Sequence, residues 1–183
     1  KLTYGLYVLG VEGEKGYGGC IVDAVMQATM EDHPVLLISL IKRNYTPECL
    51  KQTGEFTLSV LREDCDPLLI GLFGFQSARS ADKWSGAHHE LWHGLPVLRQ
   101  GCAAAIYGKV DEVRELSSHT LFICRAEDAA LGDGQPMVYA DYMSQLSSKE
   151  NQDVWSEVTV DTSLKLESAS FMEVYQQYFP AKE

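Results

Sequence analysis

The sequence has no Cys-x-x-Cys pair, no apolar run near the roughly 20 residues that cross a bilayer, and no excess of basic charge. Its five cysteines (Cys20, Cys49, Cys65, Cys102, Cys124) are odd in number and widely spread. That spread argues against a disulfide framework or a zinc knuckle and sets a reducing cytoplasm as the expected compartment. The net charge is −11. A field of that sign argues against broad nucleic-acid or anionic-membrane binding, which need a basic surface. An anionic ligand then requires cations gathered in one place. No basic stretch followed by an apolar core opens the chain, although Lys1 is not an initiator and a removed leader stays open. Internal repeats, low-complexity tracts, a P-loop, a Ser-His-Asp order and a GxGxxG after a strand are also missing.

What is present is a chain of 183 residues, 45% hydrophobic and 22% charged, enough for one soluble domain with a real core or two very small ones. Tyr4–Val11 reads as a strand, and Glu12–Gly18 as a glycine-rich hairpin turn. Cys20–Thr29 is a second strand and Pro34–Ile41 a third, buried one. Thr46 as N-cap and Pro47 as first residue open a short helix to Gln52, stopped near Gly54. Glu55–Leu61 alternates as a strand, and Asp66-Pro67 opens a second helix. Gly74–Gly94 is a long polar loop, which in a compact domain is usually functional. Two long strands follow, Cys102–Leu116 and His119–Ala130, then a strand at Val154–Val160. A C-terminal helix is expected from Ser170 and Glu173 as a capping box and from Phe171, Val174, Tyr175 and Tyr178 at helical spacing. Many strands without β-α alternation point to a barrel or sandwich with accessory helices and not to a Rossmann sheet.

Two segments concentrate chemistry. Lys42-Arg43-Asn44-Tyr45-Thr46 places two cations, an amide and a hydroxyl between a buried strand and a helix N-terminus, an arrangement that suits an anion. The blander reading is a solvated cation pair beside an ordinary cap. Ser77-Ala78-Arg79-Ser80-Ala81-Asp82-Lys83-Trp84 adds small residues and two more cations. Alone, it reads as a polar surface loop.

Together, KRNYT and FGFQSARSADKW resemble the flavin reductase-like, FMN-binding split-barrel family, including its flavoredoxin-type members. GGCIVDAVMQAT (Gly18–Thr29) is similar to the family's strand that lines the flavin ring, SHTLFIC (Ser118–Cys124) to its later strand opening with histidine, and GQPMVYADY (Gly134–Tyr142) to a segment near its C-terminus, in the right order. The resemblance covers about Leu2 to Tyr142. It implies a single domain over 1–183, mainly β, with an antiparallel split barrel, short accessory helices and a C-terminal helix. Lys42, Asn44, Thr46, Ser77, Arg79 and Lys83 would hold the FMN phosphate. Gln27 and Thr29, with groups around Val22, Asp23 and Ala28, would face the ring, and His119 would sit near the flavin or its phosphate. Asp23 stands where relatives often have asparagine, and Ala78 replaces a common glycine.

The resemblance also implies a homodimer with the flavin at the subunit interface. The implied function is an FMN-dependent oxidoreductase taking hydride from NADH or NADPH and passing electrons to free flavin or another acceptor, including an electron-transfer protein. A non-enzymatic FMN electron carrier and a scaffold that has lost its flavin are the alternatives. A remote one is a zinc hydrolase, because His89-Glu90-Leu91-Trp92-His93 is a literal H-E-x-x-H. Gly86, Gly94 and Pro96 crowd that motif and oppose the helix it needs.

Overall fold

The computed structural model describes residues 4–146. The strand expected at Val154–Val160 and the helix expected around Ser170–Tyr178 lie outside the described residues. Within them the chain forms β1 (Tyr7–Gly13), β2 (Gly16–Val22), β3 (Val25–Gln27), β4 (Val35–Ile41), α1 (Tyr45–Thr53), β5 (Glu55–Leu61) and α2 (Pro67–Phe75). β6 (Glu90–Trp92), β7 (Leu95–Val97), β8 (Cys102–Glu115), β9 (His119–Leu131) and α3 (Tyr139–Leu146) follow. Seven strands make one antiparallel sheet in the order β2-β1-β5-β8-β9-β4-β3, and β6 and β7 form a separate hairpin.

The two edge strands of that sheet, β2 and β3, are neighbours in the chain, joined only by Asp23 and Ala24. Laid flat, seven strands at about 4.8 Å spacing would hold those edges roughly 30 Å apart. The link from Val22 to Val25 reaches about 11 Å at most. The sheet must therefore curl until its edges meet, as a barrel does. Backbone bonds set the corner: Val25 N–H donates to Asp23 O and Ser39 N–H to Ala24 O, both at 2.9 Å. Here the expected single strand Cys20–Thr29 is corrected, because it breaks where the chain crosses from one edge to the other.

β1 shows how side chains are shared between two cores. Leu9 and Val11 point into a cluster with Ile38, Leu58 and Phe122, closed by Leu50 of α1. Leu6 and Val8 enter a second cluster with Ile70, Phe73, Trp84 and Met137. Period-2 alternation thus feeds both clusters from one strand, which is buried on both faces. β1 also runs to Gly13 and pairs with Gly16, so the turn shrinks to Glu14–Lys15 from the expected Glu12–Gly18.

α2 starts as expected, with the Asp66 carboxylate accepting from Leu68 N–H and Pro67 following. α1 does not. Its N-cap is Asn44, and Thr46 and Pro47 lie inside the first turn. The proline is tolerated there because first-turn N–H groups have no intrahelical acceptor. The Gly74–Gly94 loop ends early, at β6, and the helix α3 in Tyr139–Leu146 had no sequence signal that stood out.

Candidate functional site

A cavity of about 300 Å³ opens between the start of α1, the end of α2 and the 77–83 loop. Asn44, Thr46, Ser77, Arg79 and Lys83 line it, so the fold brings these five expected residues together. Arg43, Gln76 and Ser80 add further polar lining, and Cys20 closes its floor. Thr46 is buried beside Cys20, whose thiol pKa is pushed up by burial, with the Thr46 hydroxyl pulling it the other way.

The loop is a set of tight turns. Ser77 O accepts from Ser80 N–H at 3.2 Å and Ala81 N–H at 3.0 Å, and the Asp82 carboxylate accepts from Trp84 and Ser85 N–H, each at 3.2 Å. Arg79 lies over the Tyr45 ring, 4.8 Å from its centroid, and pairs with Glu48.

Lys83 is 3% exposed. Its ammonium donates to Gly19 O at 2.9 Å and Phe73 O at 3.2 Å, tying β2 to α2. Burial pushes its pKa down to about 8, against a small upward pull from Cys20. An ammonium has three donors, and two are met by carbonyls. No carboxylate faces it among its described partners. A buried cation with a donor left over, in a cavity of hydroxyls, an amide and guanidinium groups, fits an anion such as a phosphate.

Trp84 anchors the loop. Its indole N–H donates to Gly18 O at 2.9 Å, and its ring meets Phe73 edge-on at 4.6 Å. Gly10 and Gly19 are paired across β1 and β2 beneath it. A Cβ on Gly10 or Gly19 would stand 3.0 or 3.1 Å from the same indole carbon. The missing side chains make the slot that the tryptophan fills.

The remaining expected residues lie elsewhere. Val22, Asp23, Gln27, Ala28 and Thr29 sit at the β2–β3 corner and the turn after it. Gln27 Nε2 donates to Thr29 O, and Thr29 Oγ1 accepts from Val35 N–H, both at 2.8 Å. Lys42 does not line the cavity. Its ammonium meets Glu115 at 3.0 Å, and the same carboxylate takes Lys51 at 2.5 Å. His119 is the register partner of Ile41, with its Nδ1 2.8 Å from the Ser118 hydroxyl.

Lys51 and then Lys42 hold Glu115 down at about 2. Its folded pKa lies below the ordinary value of 4.5, so what it adds to stability is present above 4.5 and is lost as pH falls through about 2. Carboxyl-resolved NMR titration should show a Glu115 midpoint well below those of the other glutamates. An ordinary midpoint would break the assignment of Lys42 to this pair.

His89 and His93 do not share a helical face. The segment is the β6–β7 hairpin, turned at His93 and Gly94, both at positive φ. His89 Nδ1 contacts Ala87 O at 3.0 Å, whereas His93 stacks on Tyr107 and meets Asp128 at 2.9 Å. The geometry that the zinc pattern needs is not formed. Among the described residues no group of three His, Cys, Asp or Glu could hold a metal, and no helix is long and apolar enough to cross a membrane.

Sequence reasoning missed the Gly10–Gly19 slot. A Gly-Gly pair at 18–19 with a tryptophan in a far loop was the available signal, but only register reveals the partner at Gly10.

Comparison with known proteins bears on the fold and the family. Residues 1–146 match a family profile described as "Flavin reductase like domain". The chain is 36% identical over 143 residues to "High molecular weight rubredoxin" of Moorella thermoacetica, covering 77% of this chain and 62% of that protein. It is 34% identical over 145 residues to "Ferric-chelate reductase (NAD(P)H)" of Archaeoglobus fulgidus, covering 78% of this chain and 85% of that protein. Among solved structures, the styrene monooxygenase flavin reductase from Pseudomonas putida S12 superposes with a TM-score of 0.64 at 27% identity, over 75% of this chain and 87% of that one. An FMN-binding protein from Thermus thermophilus gives 0.64 at 26% identity, over 71% and 73%. With its mainly antiparallel sheet, its curled edges and a profile match over residues 1–146, the chain belongs to the flavin reductase like family.

Proposed function

We propose that the protein is an FMN-dependent NAD(P)H oxidoreductase of the flavin reductase type. The observation that carries the reading is the buried Lys83 ammonium facing a cavity of matched donors. Relatives named as NAD(P)H- or NADH-dependent reductases support the class. Thr46, Ser77, Asn44, Arg79 and Lys83 hold the phosphate. The β2–β3 corner, with Val22, Asp23 and the turn through Thr29, faces the ring. Lys42 and His119 act at one remove, through Glu115 and Ser118. When bound, the flavin accepts and donates the hydride or electrons. The chain's own residues bind and orient it and leave one face open to a nicotinamide.

A homodimer completes the site in this reading. The β3 edge carries Met26 at 56% exposure, and Met30 follows at 94%, apolar surface suited to burial against a second copy. A protein acceptor is the second reading, and the rubredoxin-named relative favours it. These 183 residues hold no cysteine after Cys124, so a four-cysteine iron site beyond the flavin domain is not among them.

Calorimetry and stopped-flow spectroscopy test this together. FMN should bind stoichiometrically and about ten- to a hundredfold tighter than riboflavin, the scale of a charge-assisted phosphate contact. NADH or NADPH should then bleach the flavin band. Equal affinity for riboflavin would remove the phosphate site. FMN binding without reduction by either nicotinamide would leave the electron carrier.

A further inference from the structure

A lysine nitrogen has three positions besides its carbon. In Lys83 two of them meet fixed acceptors, Gly19 O at 2.9 Å and Phe73 O at 3.2 Å. The third is left to the cavity that Lys83 lines. In the ammonium that position is a proton for an anion. In the neutral amine the two carbonyls keep both N–H groups, and the third position is a lone pair facing the same anion site. One geometry therefore serves a cation and a nucleophile.

Lys83 differs in this from the other described lysines. Lys42 and Lys51 are paired with Glu115, and Lys109 with Glu55. Lys15 is exposed to solvent. No carboxylate is among the described residues that line the Lys83 cavity. Its other ionisable groups are Cys20 from β2, Arg43 and Tyr45 around the start of α1, and Arg79 from the loop. Burial brings the Lys83 pKa down to about 8. At pH 8 about half of the molecules then carry the free amine, against well under ~1% for an ordinary lysine. The Cys20 thiol shares the cavity, but burial pushes its pKa up, which keeps it protonated and leaves the amine as the nucleophile.

Around this amine stand donors for a phosphate: the Arg79 guanidinium, the Ser77 and Thr46 hydroxyls and the Asn44 amide. They suit any small molecule that carries one. Where the phosphate is bonded to an acyl group, the electrophilic carbon lies one oxygen away from phosphorus. That is within reach of an amine placed to touch a phosphate oxygen. A cavity of about 300 Å³ has room for a phosphate and a short acyl chain together.

We propose that Lys83 is an acylation site for small acyl phosphates, whose phosphate the cavity holds while the acyl group passes to the lysine. The inference rests on the phosphate reading of the cavity. The amine lone pair attacks the acyl carbon, and the bond from that carbon to the bridging oxygen breaks. Phosphate leaves with the electron pair, held by the donors already around it, and takes the proton that the nitrogen sheds. The products are an Nε-acyl-lysine and hydrogen phosphate. The new amide keeps one N–H, carries no charge and puts its acyl group where the phosphate sat, so acylation closes the site to FMN.

Incubation of the protein with acetyl phosphate at about pH 8, followed by peptide mass spectrometry, provides the test. Lys83 should be acetylated about tenfold or more faster than Lys15, Lys42, Lys51 and Lys109, the gain in free amine less the loss in basicity. FMN and inorganic phosphate should protect it, and acetate should not. Acetic anhydride, which has no phosphate, should show no such preference. The FMN affinity of the treated protein should fall in step with Lys83 occupancy. Labelling of Lys83 no faster than of the other four lysines overturns the inference. So does selective labelling that phosphate fails to slow or that acetic anhydride reproduces. If FMN is preferred over riboflavin while Lys83 stays unlabelled, the inference alone falls. Selective, phosphate-blocked labelling in a protein that binds no FMN keeps the inference and overturns the flavin reading instead.

Discussion

Lys83→Ala should lose FMN affinity by about ten- to a hundredfold and should also melt several degrees early. The first loss is that of a charge-assisted hydrogen bond to the phosphate. The second was not expected from the sequence, where Lys83 read as a loop cation. In the fold its ammonium is the shared donor of Gly19 O and Phe73 O, and alanine leaves both carbonyls short of a partner. Each shortfall costs on the order of 1–3 kcal/mol. Desolvation of the lysine works the other way. Its folded pKa of about 8 lies below the usual 10.5, so stability linked to its titration is fully present above 10.5 and lost as pH falls through about 8. The melting-temperature gap between wild type and Lys83→Ala should therefore widen between pH 8 and 10.5. An anion in the cavity opposes the depression, so FMN binding near pH 8 should take up protons, seen as a buffer-dependent binding enthalpy. An unchanged melting temperature with an unchanged FMN constant would show that Lys83 is neither tie nor ligand.

Gly10→Ala carries the largest expected effect on the fold. Its Cβ would lie 2.4 Å from Pro96 O, 2.6 Å from Thr57 Oγ1 and 3.0 Å from the Trp84 ring. Pro96 O is backbone, held in a hairpin and accepting from the Thr57 hydroxyl, so it cannot step aside cheaply. Overpacking of this kind costs about 3 kcal/mol or more, on the order of 10 °C in melting temperature. The consequence reaches the ligand, because displacing Trp84 displaces the Asp82–Lys83 turn behind it. Gly10→Ala should therefore show red-shifted tryptophan emission and weakened FMN binding, although it contacts no part of the anion cavity. Native-like emission and stability would mean that the slot does not seat the tryptophan.

These cases show what was legible in the sequence. The pairing of a cation-rich helix start with the 77–83 loop could be read only through the family resemblance, because each segment alone reads as a polar surface feature. Strands β4, β5, β8 and β9 and the Asp66 cap could be read because an apolar run in β4, alternation in β5 and cap chemistry at Asp66 are local signals. Thr46 and Lys83 were legible as residue types but not as burial. Nothing local says that a threonine after Asn44 will face a thiol from β2, or that a loop lysine will be swallowed by two carbonyls. The pairing of Lys42 with Glu115 was hidden for the same reason, since Glu115 lies at the far end of another strand. The break at Asp23–Ala24 was hidden because Val25, Met26 and Gln27 are as strand-compatible as Ile21 and Val22. Only closure of the sheet forces the corner.

That corner bears on how the molecule is made. The β1–β2 and β8–β9 hairpins join neighbouring segments and carry little loop-closure entropy. β4 must instead find β9, and β5 must find β8, each across a long stretch of chain. Such pairings are slow and come late. Asp23–Ala24 tethers the β1–β2 hairpin to β3 and β4, so the last pairings to form also draw the two sheet edges together. Before then β2 and β3 are bare edges, open to pairing with other chains. A flavin lying along β2 and around the corner would act as a suture on this seam. It would slow unfolding in proportion to how much of the closed edge it grips, and the holoprotein should outlast the apoprotein in kinetic persistence more than in equilibrium melting.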